Sequence, residues 1–415
     1  MPVRLAQRVR ELPTSQTLAL AARAKALAAE GEPIIDFSIG EPDFTSPPAA
    51  MDGARDALAK GDTHYPPVPG TMALRKAILA QLEREYAWKG SPENVLVSCG
   101  AKHVLYNLFQ ALLDPGDEVV FGSPYWVSYP AMVQLAGGRS VPVATRAEDG
   151  FRLDPEAVAG AIGPKTKILL LNSPSNPTGA VAPPADIDAL VKLALDKGVV
   201  VVSDEIYRSL VFQGASHRSV LQVDHPRARE LVVFVDGASK SLAMTGWRIG
   251  WAVGPKDILG AASKIQSQST SGACTIAQAA AAQAVAGSAA DTERMRQAFE
   301  RRRATIFERL ERIPGVRVPR AQGAFYAFPD VSAYYGRTID GVKVEGSDSL
   351  SSLLLDKAHV AAVAGEGFGA DGHLRFSYAL DEKLLVEGID RVAKLLARAT
   401  PPVTAGAAVA GAAGR

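Results

Sequence analysis

Cysteine is nearly absent: the 415 residues hold two, Cys99 and Cys274, far apart and in no CxxC pair. A disulfide framework is therefore excluded as the organising principle, and a reducing cytosol is the natural setting. An excess of charge is missing too. Lys and Arg number 45 against 44 Asp and Glu, for a net charge of +1. That balance gives no general pull toward nucleic acid or a membrane surface, and neither is expected as a partner. No uncharged apolar run of about 18 residues occurs, so no spanning helix is expected. The opening "MPVRLAQRVREL" is charged and lacks the apolar stretch of a secretory signal. Cytoplasmic residence is the expectation. The six histidines, His64, His103, His217, His225, His359 and His373, show no ligand spacing, and no metal is expected. No internal repeat is visible.

What is present is an alternation. Short apolar runs, "NVLVS" (94–98), "DEVVF" (117–121), "KILLLN" (167–172), "GVVVVSD" (198–204), "ELVVFVD" (230–236) and "IGWAVG" (249–254), predict strands. Helical patterns at 101–113, 125–136 and 184–197 lie between them. Such a series predicts an α/β fold with a mostly parallel sheet covered on both faces, its ligand crevice beyond the carboxyl ends of the strands. Asn172, Asp204 and Asp236 each close an apolar run and are expected to face that crevice. A long charged helix, "DTERMRQAFERRRATIFERLERI", then leads into a less regular series that predicts a smaller α+β unit. The domain plan is an arm over 1–45, a large domain over 46–290, a small domain over 291–398 and a disordered Ala/Gly/Pro-rich tail over 399–415. The Gly- and Ser-rich segment 331–349 is a candidate lid. "GEGFGA" (365–370) fits a loose dinucleotide fingerprint but lacks a βαβ unit around it, and reads as a loop.

Chemistry-bearing residues cluster at the predicted crevice. Asn176 lies in the irregular turn "NSPSNPTG"; Asp204 and Tyr207 share "SDEIY"; Lys240 and Arg248 share "SKSLAMTGWRIG". An amide, a carboxylate, a phenol, an amine and a guanidinium together suit a flat, anionic, heteroaromatic cofactor, and pyridoxal 5'-phosphate has that description. "VSCGAKHVLYNLF" runs from a strand through Gly100 into a helix. The N–H groups of Ala101 and Lys102 at that helix start suit a phosphate, which Arg248 can also hold.

With these motifs in order, "GEPDF" (40–44), "HYPPVPG" (64–70), "PYWVSYP" (124–130), "NSPSNPTGA" (172–180), "SDEIY" (203–207), "SKSLAMTGWRIG" (239–250) and "LRFSYA" (374–379), the chain resembles the class I pyridoxal-phosphate aminotransferases of fold type I. It is most similar to the bacterial aspartate aminotransferases. The resemblance spans about residues 5 to 398 and implies a seven-stranded sheet in the large domain. It implies that Lys240 bonds the cofactor aldehyde and moves the substrate proton, and that Asp204 pairs with the ring nitrogen. Tyr207 and Asn176 are implied to bond the ring oxygen, Ser239 and Arg248 the phosphate, and Trp126 to stack on the ring. For the substrate it implies Arg375 and the Gly40 backbone at the α-carboxylate and Lys102 at a distal carboxylate. It implies a homodimer with shared sites, Tyr65 reaching the neighbouring subunit's phosphate.

Each residue also has a plainer reading. A lone lysine is usually solvated, a lone arginine an ion-pair partner, a strand-terminal Asp a turn former, and Trp126 or Tyr65 ordinary aromatics. The ordered motif set is what favours the chemical readings. Within the fold, aromatic or prephenate aminotransfer and β-elimination stay open as alternatives. Gln16, where prephenate-active relatives usually carry a basic residue, weighs against prephenate, while Thr17 matches a hydroxyl that those relatives use.

Overall fold

Six of the apolar runs become strands because near-continuous β-branched residues can be buried on both faces of a sheet. The computed structural model describes residues 3–12, 16–212 and 214–401, with the side chains of 16–18 outside that description. In chain order the large sheet has β1 (Val95–Ser98), β2 (Glu118–Ser123), β3 (Arg139–Ala144), β4 (Thr166–Asn172), β5 (Val200–Asp204), β6 (Val232–Gly237) and β7 (Gly250–Val253). Their spatial order is β1-β7-β6-β5-β4-β2-β3, with β7 antiparallel to both neighbours and the other pairs parallel. The two-residue period divides the strands cleanly. Val97, Val120, Leu169, Val201 and Phe234 enter one core. Leu96, Val119, Ile168, Val202 and Val233 enter the core on the opposite face.

Helices cover both faces. Pro184–Asp196 and Thr275–Gly287 contribute Leu190, Val191, Ala280 and Ala281 to the first core. Ala101–Leu112 and Ser128–Leu135 contribute Val104, Leu108, Met132 and Val133 to the second. The sequence reading found no strand at 139–144. That strand lies at the sheet edge, is mostly open to solvent and carries Pro142, so the run of buried β-branched residues is absent there.

A second body is built around the antiparallel strands Val363–Ala364, Leu374–Ser377 and Tyr326–Ala327. The 23-residue helix Ala289–Glu311 and the helix Glu382–Leu396 pack on its core through Phe299, Ile306, Leu385 and Ile389. The arm joins it: Ile35–Asp36 pairs in parallel with Val360–Ala361. The candidate lid has a different character. Val331, Tyr334, Ile339 and Val344 are buried in this core, because a short hairpin, Thr338–Ile339 with Val342–Lys343, folds the segment back. The ordered chain also runs past Arg398, since Thr400 donates its N–H to the Thr338 carbonyl at 2.9 Å. The remainder of the expected tail, 402–415, lies outside the described residues.

Candidate active site

β4, β5 and β6 end side by side, so the residues just after them share one place. A cavity opens there, walled on the other side by the arm residues Ser38–Glu41 and by Tyr326 and Arg375 of the second body. Lys240 reaches it from the one-turn helix Ala238–Ser241, which starts directly after β6. Its Nζ donates to the Gly40 carbonyl and lies 5.8 Å from the Phe325 ring centre and 6.0 Å from that of Tyr207. Burial, followed by the Arg375 and Arg248 cations, brings the amine pKa down to about 8, against the opposing pull of Glu41 and Asp204.

Asp204 closes β5 and is 4% exposed. Burial raises its carboxyl to about 6; the hydrogen bonds from Tyr129 Oη at 2.8 Å and from the Ile206 N–H at 3.3 Å act in the opposite direction. Asn172, the last residue of β4, links neighbours. Its Nδ2 donates to the Asp204 carbonyl at 2.9 Å, and its Oδ1 accepts from the Asn176 N–H at 3.0 Å.

Arg375 sits in its strand 3% exposed. Nη1 donates to Asn176 Oδ1 at 3.0 Å and Nη2 to the Ser38 carbonyl at 2.7 Å, while the buried Nε has no partner among the described residues. Its guanidinium lies 4.7 Å from the Tyr326 ring centre and 5.0 Å from that of Phe368, and burial lowers its pKa. The Tyr207 and Tyr326 hydroxyls meet at 2.8 Å, and burial holds both phenols protonated.

The other end of the cavity is basic. Gly100, at φ +90°, caps the helix Ala101–Leu112; a Cβ there would collide with the Arg248 guanidinium. Ala101 keeps ordinary helical backbone, so its methyl group costs nothing at this turn. Ser239 lines the same end, and Arg248 donates to the Thr245 carbonyl at 2.8 Å. Lys102 Nζ lies 4.9 Å from the Trp126 ring centre, and both residues line the cavity. Desolvation at that ring, then the Arg248 cation, lower the Lys102 pKa.

Eleven of the twelve residues expected to hold cofactor or substrate therefore line one cavity, Asn172 lines it too, and of those twelve Tyr65 does not. Tyr65 is 95% exposed, beside a separate groove with Cys274 and Thr275. Asp236 was expected at the crevice and is not there. Buried Arg208 needs a counter-ion, and Asp236 accepts from its Nε at 2.6 Å and from the Gly237 N–H at 2.7 Å. Tyr129, Tyr326, Ser38 and Thr245 line the cavity without having been singled out. Tyr129 stands in the quoted "PYWVSYP" and Tyr326 in "GAFYAF", but a tyrosine in an apolar run carries no mark that separates core from site.

An α/β sheet whose strand ends gather a depressed lysine, a buried carboxylate and a buried arginine defines an enzyme that handles amines and carboxylates. Residues 32–392 match the family model for aminotransferase class I and II. The chain belongs to that family, has its fold type I architecture, and is an aminotransferase. An aspartate aminotransferase of Bacillus sp. (strain YM-2) is 43% identical over 388 residues, 94% of this chain and 98% of that protein. An aspartate/prephenate aminotransferase of Thermus thermophilus is 44% identical over 398 residues, 95% of this chain and 99% of that protein. Among solved structures, aspartate aminotransferase from Thermus thermophilus with maleate superposes with a TM-score of 0.89 at 42% identity, covering 95% of this chain and 100% of that one. The aspartate aminotransferase from Rhizobium meliloti superposes with a TM-score of 0.92 at 37% identity, covering 96% and 100%.

Proposed function

We propose that this aminotransferase exchanges the amino group between L-aspartate or L-glutamate and 2-oxoglutarate or oxaloacetate, with pyridoxal 5'-phosphate as cofactor, as a cytoplasmic homodimer with shared active sites. The observation that carries the reading is the convergence of Lys240, Asp204 and Arg375 on one cavity with a basic, glycine-cradled end. The residues present suit that cofactor. Arg248, Ser239 and the N–H groups of Ala101 and Lys102 are a phosphate donor set, and the space above Gly100 is one that a Cβ would fill. Of the cavity's carboxylates, Glu41 accepts from the Thr245 hydroxyl, while Asp204 closes β5 beside Asn172 and is suited to a cationic ring nitrogen. Trp126 offers an aromatic face, and Tyr207 and Asn176 offer donors to a ring oxygen.

Bound there, the cofactor supplies an aldehyde for the amino group and an electron-withdrawing ring next to the substrate Cα. The chain's own residues do the rest. Arg375, with Nε free, takes the α-carboxylate and fixes the substrate against the Gly40 backbone. Lys240, with its pKa brought down to about 8, has a neutral fraction large enough to remove and return the Cα proton near neutral pH. Asp204 and Arg248 are charges already in place, so no reorganisation is needed as charge develops. Lys102, with its ammonium over the Trp126 ring, meets a distal carboxylate, which favours dicarboxylic substrates. The exposure of Tyr65, outside its own chain's cavity, supports a role for it toward a neighbouring subunit. The cytoplasmic assignment is supported by the two isolated cysteines.

Relatives named aspartate/prephenate aminotransferases, 42–44% identical, favour prephenate or an aromatic amino acid as the second reading. Gln16 and Thr17, the residues weighed for it, have side chains outside the described residues. Absorbance spectra decide between the readings. Protein loaded with pyridoxal phosphate is expected to show a yellow band that bleaches with L-aspartate and not with L-phenylalanine. Bleaching by phenylalanine alone overturns the dicarboxylate preference, and no band overturns the assignment of Lys240.

A further inference from the structure

The reason for glycine at position 40 is not backbone conformation. Gly40 is absent from the residues with positive φ, so an L-residue fits its dihedral angles. Space is the constraint. A Cβ on residue 40 would lie 2.7 Å from the Tyr326 hydroxyl oxygen, and the next atoms of that ring are at 3.7 and 3.9 Å, ordinary contacts. A single oxygen atom is therefore what a Cβ at position 40 would displace.

That oxygen is held firmly. Tyr326 is 1% exposed, lies in the strand Tyr326–Ala327 with Ser377 as its pairing partner, and packs against Phe325 at 4.8 Å and Tyr207 at 5.8 Å between ring centres. The same phenol meets the Tyr207 hydroxyl at 2.8 Å, and its ring carries the Arg375 guanidinium at 4.7 Å. The carbonyl of Gly40, the residue whose Cβ space that oxygen takes, accepts from Lys240 Nζ. One side chain thus touches two of the groups given roles above, Tyr207 and Arg375, and abuts the residue whose carbonyl binds a third, Lys240.

We propose that Tyr326 is a positioning residue of this aminotransferase site, its hydroxyl setting the spacing between Tyr207, the Gly40 backbone and Lys240 while its ring supports Arg375. This rests on the reading of the cavity given above. The two functions of the phenol are separable. Either phenol can donate across this contact; when a group in the cavity accepts from Tyr207, Tyr326 becomes the donor and fixes the direction of the Tyr207 O–H. The ring alone suffices for the stack on Arg375.

Three variants test this. In Tyr326→Phe the ring stays and the hydroxyl goes, so kcat is expected to fall roughly three- to tenfold while KM for aspartate moves less than about twofold. Tyr326→Leu removes the ring, and KM is expected to rise roughly tenfold. The groups facing Tyr207 and Lys240 are Asp204, Arg375, Arg248, Glu41 and Tyr326. With weaker donation from Tyr207, negative charge beside Lys240 is less shielded and attracts a proton more strongly. The pH midpoint of the loaded protein's absorbance is expected to rise by roughly half a unit in Tyr326→Phe.

The decisive readout is a cycle with Gly40→Ala. In the Tyr326 background this substitution is expected to lower the unfolding midpoint of the cofactor-free protein by roughly 2 °C, and in the Tyr326→Phe background by less than half as much. Equal losses in both backgrounds, or an unmoved absorbance midpoint in Tyr326→Phe, overturn the proposal. A wild-type protein that shows no absorbance band or transfer overturns the aminotransferase reading instead, and the unfolding cycle still decides the spacing.

Discussion

Tyr129→Phe removes one oxygen atom from the site and leaves its packing intact. The ring sits 5.4 Å from Trp126 at 88° and 6.1 Å from Phe121, contacts a phenylalanine reproduces. What is lost is the 2.8 Å hydrogen bond to Asp204 Oδ2, one of the two that hold down a carboxyl already raised to about 6 by burial. A hydrogen bond to a buried charged group contributes about 1.5–3 kcal/mol, and 1.36 kcal/mol corresponds to one pKa unit. Asp204 in the cofactor-free variant should therefore rise by about one to two units, from mostly ionised at pH 7 to half protonated or more. A protonated Asp204 offers no anion to a cationic ring nitrogen. Pyridoxal phosphate affinity, followed by absorbance titration at pH 6 to 9, should fall roughly two- to tenfold at pH 7 and recover toward wild type by pH 9. A loss of the same size at every pH would refute the reasoning, because it would make Tyr129 a packing element only. No loss at any pH would refute the assignment of Asp204.

Lys102→Ala should raise KM for aspartate roughly tenfold or more and change turnover of phenylalanine little, because the cation at Trp126 serves only a distal carboxylate; steady-state kinetics with both substrates checks this. Mixing the variants Tyr65→Ala and Lys240→Ala should restore about one quarter of wild-type activity, since half the dimers are mixed and each then has one intact site; no recovery after subunit exchange would remove Tyr65 from a shared site. The pH dependence of stability has a definite sign. The folded-state pKa of Asp204, about 6, exceeds the ordinary value of 3.8, so the folded chain holds that proton more tightly than the unfolded one. Its contribution is full below pH 4 and is lost as pH rises to about 6, a decline of about 3 kcal/mol in the cofactor-free protein. Denaturant titrations across that range should show a shallower decline in Asp204→Asn.

The strands that the sequence made legible are those with no exposed face. Val95–Ser98, Thr166–Asn172 and Val200–Asp204 bury nearly every residue, and a run of valine and leucine is the direct trace of that burial. Arg139–Ala144 carries no such trace, being an edge strand with Pro142. The same rule separates the site residues. Lys240, Asp204 and Arg248 were visible because a charge beside buried strands needs an explanation, and Arg375 was visible only through the resemblance of "LRFSYA". Tyr326 and Tyr129 were not, because their phenols pass for core until their hydrogen-bond partners are known.

By itself, then, the order of apolar runs and polar strand ends determined a parallel sheet with chemistry at its carboxyl edge, since both follow from local burial and short connections. Which of the strand-terminal carboxylates serves that edge was decided only in three dimensions. Asp204 and Asp236 end neighbouring strands and look alike in the chain, yet Arg208 draws Asp236 into an ion pair while Tyr129 leaves Asp204 open to the cavity. Tertiary structure alone also brought Arg375 to Asn176, 199 positions away, and set the Tyr326 hydroxyl over Gly40. The spacing between two bodies of a protein is a sum over its whole packed interior, and no short stretch of sequence contains it.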